Sequence, residues 1–205
     1  MRTTWPAILI AALVVLLTTG CASVSVNQDH PELEKDPNQP AAAVYFIRTS
    51  PVKNKGVADS PVRITYQGKD LVTLDEGTNT LLYLKPSTGM MRLHSRTLFI
   101  GQQSIKEVWR ERNFRFITGK TYFIHVRQDN EEFRGVFYTP ELVNLEEAKR
   151  LARDTRTKGL ASSHPIAKLT SVEEPPPGSA DAEPPALPEQ LYHPEKYMQK
   201  KNPFK

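Results

Sequence analysis

Between Ala43 and Tyr138 the chain alternates apolar and polar residues with a period of two, broken repeatedly by short polar segments. Val62, Ile64 and Tyr66 alternate with Arg63, Thr65 and Gln67, which predicts a half-buried strand. Gln67-Gly68-Lys69-Asp70 supplies a turn, and Leu71–Leu74 returns as the hairpin partner. Met91 and Leu93 alternate with Arg92, His94 and Arg96, and Tyr122, Ile124 and Val126 share a face. The run Val44-Tyr45-Phe46-Ile47 has no polar interruption, so this strand should be buried on both sides at its middle. Thr78–Lys85, Ile105–Ile117 and Phe133–Tyr138 complete the series, with turns at Asp75–Gly77, Pro86–Gly89, Gly119-Lys120 and Asp129–Glu132. Short strands joined by such turns predict a mainly β fold, a small antiparallel β-sandwich of about seven strands.

One C-terminal α-helix follows. Asn144 can cap it, Glu147 stands three residues on as in a capping box, and Leu145, Ala148, Leu151 and Ala152 form an apolar stripe. Arg150 and Arg153 fall in its last turn, where cations suit the dipole. These signals bound a folded domain at 41–153. Residues 21–40 are polar, with Pro31, Pro37 and Pro40, and read as a flexible tether. Residues 154–205 carry Pro175-Pro176-Pro177 and Pro184-Pro185 and read as a disordered tail.

The first twenty residues change the picture. Arg2 precedes an apolar run from Trp5 to Leu17, and Thr18-Thr19-Gly20 leads into Cys21, the only cysteine. The run is shorter than the ~20 apolar residues of a membrane-spanning helix. It reads as a signal peptide over 1–20 that ends at a lipidation site. Small residues before a cysteine suit the lipoprotein signal peptidase, although Thr18 stands where an aliphatic residue is usual. Cys21 is then a tether with no catalytic role. Ala22 is not Asp, so sorting to the outer membrane, facing the periplasm, is the expected address.

Charge is uneven along the chain. Residues 41–153 hold 18 Lys and Arg against 12 Asp and Glu, a net +6, whereas residues 22–40 are at −3 and 154–205 are neutral. For an exported domain this favours anionic lipid, lipopolysaccharide or peptidoglycan over nucleic acid.

The run Val44-Tyr45-Phe46-Ile47-Arg48, the hairpin Tyr66-Gln67-Gly68-Lys69, the motif Gly119-Lys120-Thr121-Tyr122-Phe123 and the closing Leu142–Leu151 with Glu147-Ala148 together carry a resemblance. Over residues 41–153 the chain resembles a bacterial family known as domain of unknown function 2846. Thr49 and the longer turn at Pro86–Gly89 depart from its pattern. The resemblance implies a small β-rich domain, often on a lipoprotein, and lends no catalytic residues.

Little else suggests chemistry. His94 and His125 fall on outward strand faces without further ligands at metal-binding spacing, so no metal or other cofactor is expected. No Gly-x-Ser-x-Gly elbow or phosphate-cradling loop is present. The carboxylate pairs Glu131-Glu132 and Glu146-Glu147 are adjacent in sequence, unlike a glycosidase pair drawn from separate elements. The remaining candidate is a cationic face of Arg92, Arg96, Arg110 and Arg112, extended by Lys106 and Arg115 and accompanied by Trp109. The expected function is a lipid-anchored, non-catalytic envelope protein that binds or supports a partner. An adaptor recruiting a protein through residues 155–205 is the alternative, and an envelope-polymer enzyme a more remote one.

Overall fold

A computed structural model of the chain describes residues 23–50, 61–98, 105–131 and 135–183. The strands are β1 (Val24–Val26), β2 (Ala42–Arg48), β3 (Val62–Tyr66), β4 (Lys69–Leu74), β5 (Thr78–Leu84), β6 (Ser87–Leu98), β7 (Ile105–Phe116), β8 (Thr121–Glu131), β9 (Gly135–Val143) and β10 (Arg156–Gly159). Helix α1 (Leu145–Ala152) precedes β10. Two five-stranded sheets result, ordered β1-β4-β3-β6-β7 and β10-β5-β2-β8-β9.

The sandwich expected from the sequence is present, with ten strands rather than about seven. Apolar alternation supplies its core: Val62, Ile64, Tyr66, Met91, Leu93, Phe114 and Phe116 from the first sheet meet Val44, Phe46, Leu82, Tyr122, Ile124 and Val126 from the second. The β3–β4 hairpin turns on Gln67 (φ 50°) and Gly68 (φ 77°), the paired positive-φ geometry that suits the twist of a two-residue hairpin.

The expectation of a purely antiparallel fold is corrected for the second sheet, where β2 pairs with β8 and β10 with β5 in parallel. The chain leaves β7 through Ile117–Lys120 and re-enters beside the start of β2. There the Gly119 N–H donates to Ala41 O (2.9 Å) and the Ala43 N–H to Lys120 O (3.0 Å). Both strands begin at the same end and so run the same way. The Tyr122 hydroxyl clasps this crossing, donating to Arg115 O (2.7 Å) and accepting from the Ile117 N–H (2.9 Å).

The turn read over Pro86–Gly89 is shorter than expected, because β6 already starts at Ser87. Gly89 sits inside that strand beneath Gln67, whose Cγ would lie 2.5 Å from an added Cβ. It is a close-approach glycine and not a turn residue.

Strand β2 is buried on both faces, as its unbroken apolar run predicts. Its other face carries Tyr45 and Ile47 into a second core with Leu81, Phe123, and Leu145, Ala148 and Leu151 of α1. Asn144 caps that helix, its Oδ1 accepting the Glu147 N–H at 2.9 Å. The Glu147 carboxylate turns outward to Arg150.

Both boundaries at 41 and 153 are corrected among the described residues. Residues 23–40 are not a free tether: β1 pairs with β4, Val24 and Val26 pack on the main core, and Leu33 bridges to Leu84. His30 is 2% exposed and plugs the end of the sandwich. Its Nδ1 accepts the Glu32 N–H (3.1 Å), so Nε2 carries the proton and donates to Tyr66 O (3.1 Å). Residues 154–183 also pack. Strand β10 joins the second sheet, and Ala161 and Ile166, in 3-10 turns Leu160–Ser162 and Ile166–Lys168, close the second core. The Tyr45 hydroxyl donates to His164 O at 2.9 Å, and burial pushes that phenol up to about 12. Residues 1–22, which hold the expected signal peptide and Cys21, and residues 184–205 lie outside the described residues.

Candidate functional site

The four arginines singled out from the sequence do not gather on one face. Strands β6 and β7 pair with Met91 opposite Arg112, Arg92 opposite Glu111, Leu93 opposite Arg110 and Arg96 opposite Glu107. Met91 and Leu93 face the core, so Arg110 and Arg112 share the inner side of the first sheet. Arg92 and Arg96 point to the outer side. The signal was present in the sequence: Arg110 and Arg112 stand at even spacing from the inward Phe114 and Phe116. They remain partly exposed because β7 is an edge strand.

Three of the four are engaged. The Arg92 Nε donates to Glu111 Oε2 at 2.6 Å. Arg112 makes a two-pronged pair with Asp181, with Nε to Oδ1 at 2.8 Å. This pair holds the guanidinium pKa above, and the Asp181 carboxyl below, their ordinary values. Arg110 lies over the Phe137 ring, 4.4 Å from its centroid. Arg96 is exposed and has no carboxylate within 4.0 Å among the described residues. The four arginines therefore do not form the single cationic face expected from the sequence.

The outer face instead carries a mixed network. Arg63 bridges Asp70 (3.0 Å) and Glu107, and Glu107 Oε1 lies 3.2 Å from His94 Nδ1. The Thr65 hydroxyl meets His94 Nε2 at 3.3 Å, and the Trp109 indole lies beside the imidazole at 6.2 Å. Burial and the Arg63 charge together lower the His94 pKa. Cations and carboxylates alternate across this face, so its own partners absorb most of the charge.

His125 lies on the opposite outer face, beneath α1, so the two histidines share no site. Its Nδ1 is 3.8 Å from Glu141, and burial lowers its pKa. No group of three or more His, Cys, Asp or Glu could hold a metal ion among the described residues. A depression of about 380 Å3 is lined by Asp29, His30, Pro31, Leu33, Glu34, Lys35 and Lys85. The histidine there has both ring nitrogens committed to the backbone, and Lys85 Nζ donates to Pro31 O at 3.0 Å.

Sequence reasoning missed Arg48, which is 1% exposed at the end of β2. Its Nη1 donates to Leu74 O (2.6 Å), its Nη2 to the Tyr138 hydroxyl (3.2 Å), and its guanidinium lies 4.9 Å from the Tyr138 ring centre. It joins the two sheets inside the sandwich. The even spacing of Arg48 from Val44 and Phe46 was the available signal.

Comparison of the chain with protein-family models, curated proteins and solved structures finds no match.

Proposed function

We propose that the chain is a bacterial lipoprotein, acylated on Cys21 and held at the periplasmic face of the outer membrane, whose β-domain supports or binds a partner without catalysis. The observation that carries this reading is where the folded body begins. Ser23 is tied into the end of β4 through Asp75, two residues after Cys21. Cleavage between Gly20 and Cys21 would leave the acylated residue two positions ahead of Ser23. The motif Thr19-Gly20-Cys21-Ala22 and the resemblance over residues 41–153 support the same reading. The buried His30 and Arg48 donate to backbone carbonyls, which supports a structural role for these two side chains.

Replacing Cys21 by Ser tests the anchor. The variant should accumulate as uncleaved precursor or as a soluble periplasmic product. A mature variant still fractionating with the outer membrane would contradict the proposal.

A further inference from the structure

Helix α1 and the two 3-10 turns cover the outer face of the second sheet with apolar side chains. The outer face of the first sheet carries no such cover among the described residues. The ladders lay one row of side chains straight across it, one from each strand: Ser25, Thr73, Arg63, His94 and Trp109. At ~4.8 Å between strands this row spans about 19 Å. Thr65, Arg92 and Glu111 form the row on one side of it, and Arg96 and Glu107 the row on the other.

These rows are polar and balanced in charge. Arg63 is shared by Asp70 and Glu107, Arg92 pairs with Glu111, and Arg96 stands apart, so three cations meet three carboxylates. Such a surface projects little field to draw an anion or a cation. Trp109 is 53% exposed at the end of the central row, with the His94 ring 6.2 Å away. Ile105, the other exposed apolar residue of β7, stands four residues off, about 13 Å along the strand, so the two make no apolar patch. Protein and lipid partners are held chiefly through clustered apolar anchors, which these rows lack.

An isolated flat aromatic among paired donors and acceptors suits a ligand with apolar C–H faces and a rim of hydroxyls, which is the chemistry of a neutral sugar. The side chains of Arg63, Arg92, Glu107 and Glu111 are 41–51% exposed, so N–H groups and lone pairs not used in the ion pairs remain within a ligand's reach. Their pairing holds them in place before a ligand arrives, which lowers the ordering cost of binding.

We propose that the outer face of the first sheet binds a neutral glycan chain, with the Trp109 indole stacked on one sugar ring and Arg63, Glu107, Arg92 and Glu111 hydrogen-bonding the hydroxyls of its neighbours. This names a partner class for the binding role proposed above and rests on that role, while requiring nothing of Cys21.

The full chain, extracted from membranes in a detergent without sugar headgroups, would be mixed with millimolar cellotetraose or chitotetraose, both neutral, and followed by saturation-transfer NMR. The expected result is transfer to the ring C–H protons of at least one of the two, unmoved by added salt. Affinity should fall at least about tenfold in Trp109→Ala, with melting temperature unchanged, and recover in part in Trp109→Tyr. No transfer to either glycan, transfer only to dextran sulfate, transfer abolished by salt, or equal affinity in Trp109→Ala overturns the glycan face. The mass of Cys21 is read on the same sample, so an acylated chain that binds no glycan loses this face and keeps its anchor. An unacylated chain that binds glycan keeps the face and loses the anchor.

Discussion

Asp75 holds Ser23 through both side chain and backbone. Its Oδ2 accepts the Ser23 N–H at 2.5 Å and the hydroxyl at 2.9 Å, and its own N–H donates to Ser23 O at 3.1 Å. These contacts fix the first described residue to the end of β4. They leave only Cys21 and Ala22 between the proposed cleavage site and the folded body.

Asp75→Ala should therefore loosen β1 without unfolding the sandwich. Ser23 is exposed and Asp75 only half-buried, so the expected loss of global stability is about 1 kcal/mol. Amide exchange at Val24–Val26 should quicken while exchange in β2 stays unchanged.

The packed segment after α1 predicts a larger effect. Ile166 is 2% exposed between α1 and β2, and Ile166→Ala should cost about 2–4 kcal/mol, a fall in Tm of about 5–15 °C. A chain shortened to 41–153 should melt well below the mature form, since it loses β1, β10 and Ile166 together. Equal melting temperatures would show that these segments contribute nothing.

These two segments mark where sequence reading stopped. The central strands were legible because Val62–Tyr66 and Tyr122–Val126 repeat their alternation over several residues. Val24 and Val26 form only one step of alternation, and His30, Leu33 and Ile166 are isolated among polar residues and prolines. Their burial depends on surfaces that exist only once the two sheets are assembled. The parallel pairing of β2 with β8 is non-local for the same reason. The arginine face failed on parity: Arg110 and Arg112 keep the spacing of the inward Phe114 and Phe116, whereas Arg92 and Arg96 alternate with the inward Met91 and Leu93.

Arg48 carries a separate prediction. Arg48→Ala would leave a void in the core and strip Leu74 O and the Tyr138 hydroxyl of a buried donor, at about 3 kcal/mol or more. Arg48→Met fills most of the space and should cost less. Urea denaturation of the two variants checks both the size and the order.

His125 predicts a pH dependence. Burial under α1 is the main reason its folded pKa lies below 6.5, with Arg127 and Arg150 adding to the lowering and Glu141 and Glu147 opposing it. His94 is shifted the same way. The unfolded chain then binds more protons, so stability is full above about pH 6.5 and declines as pH falls through the range below it. Urea midpoints should drop on acidification, and His125→Gln together with His94→Gln should flatten that part of the profile. An unchanged profile would remove both histidines as its cause.

The account stands most directly on the state of Cys21. Intact-mass analysis of the protein extracted from membranes should give a chain running from Cys21 to Lys205 with a diacylglycerol on the thiol and an acyl chain on the new N-terminus. A mass that retains residues 1–20, or a chain beginning at an unmodified Cys21, would contradict it.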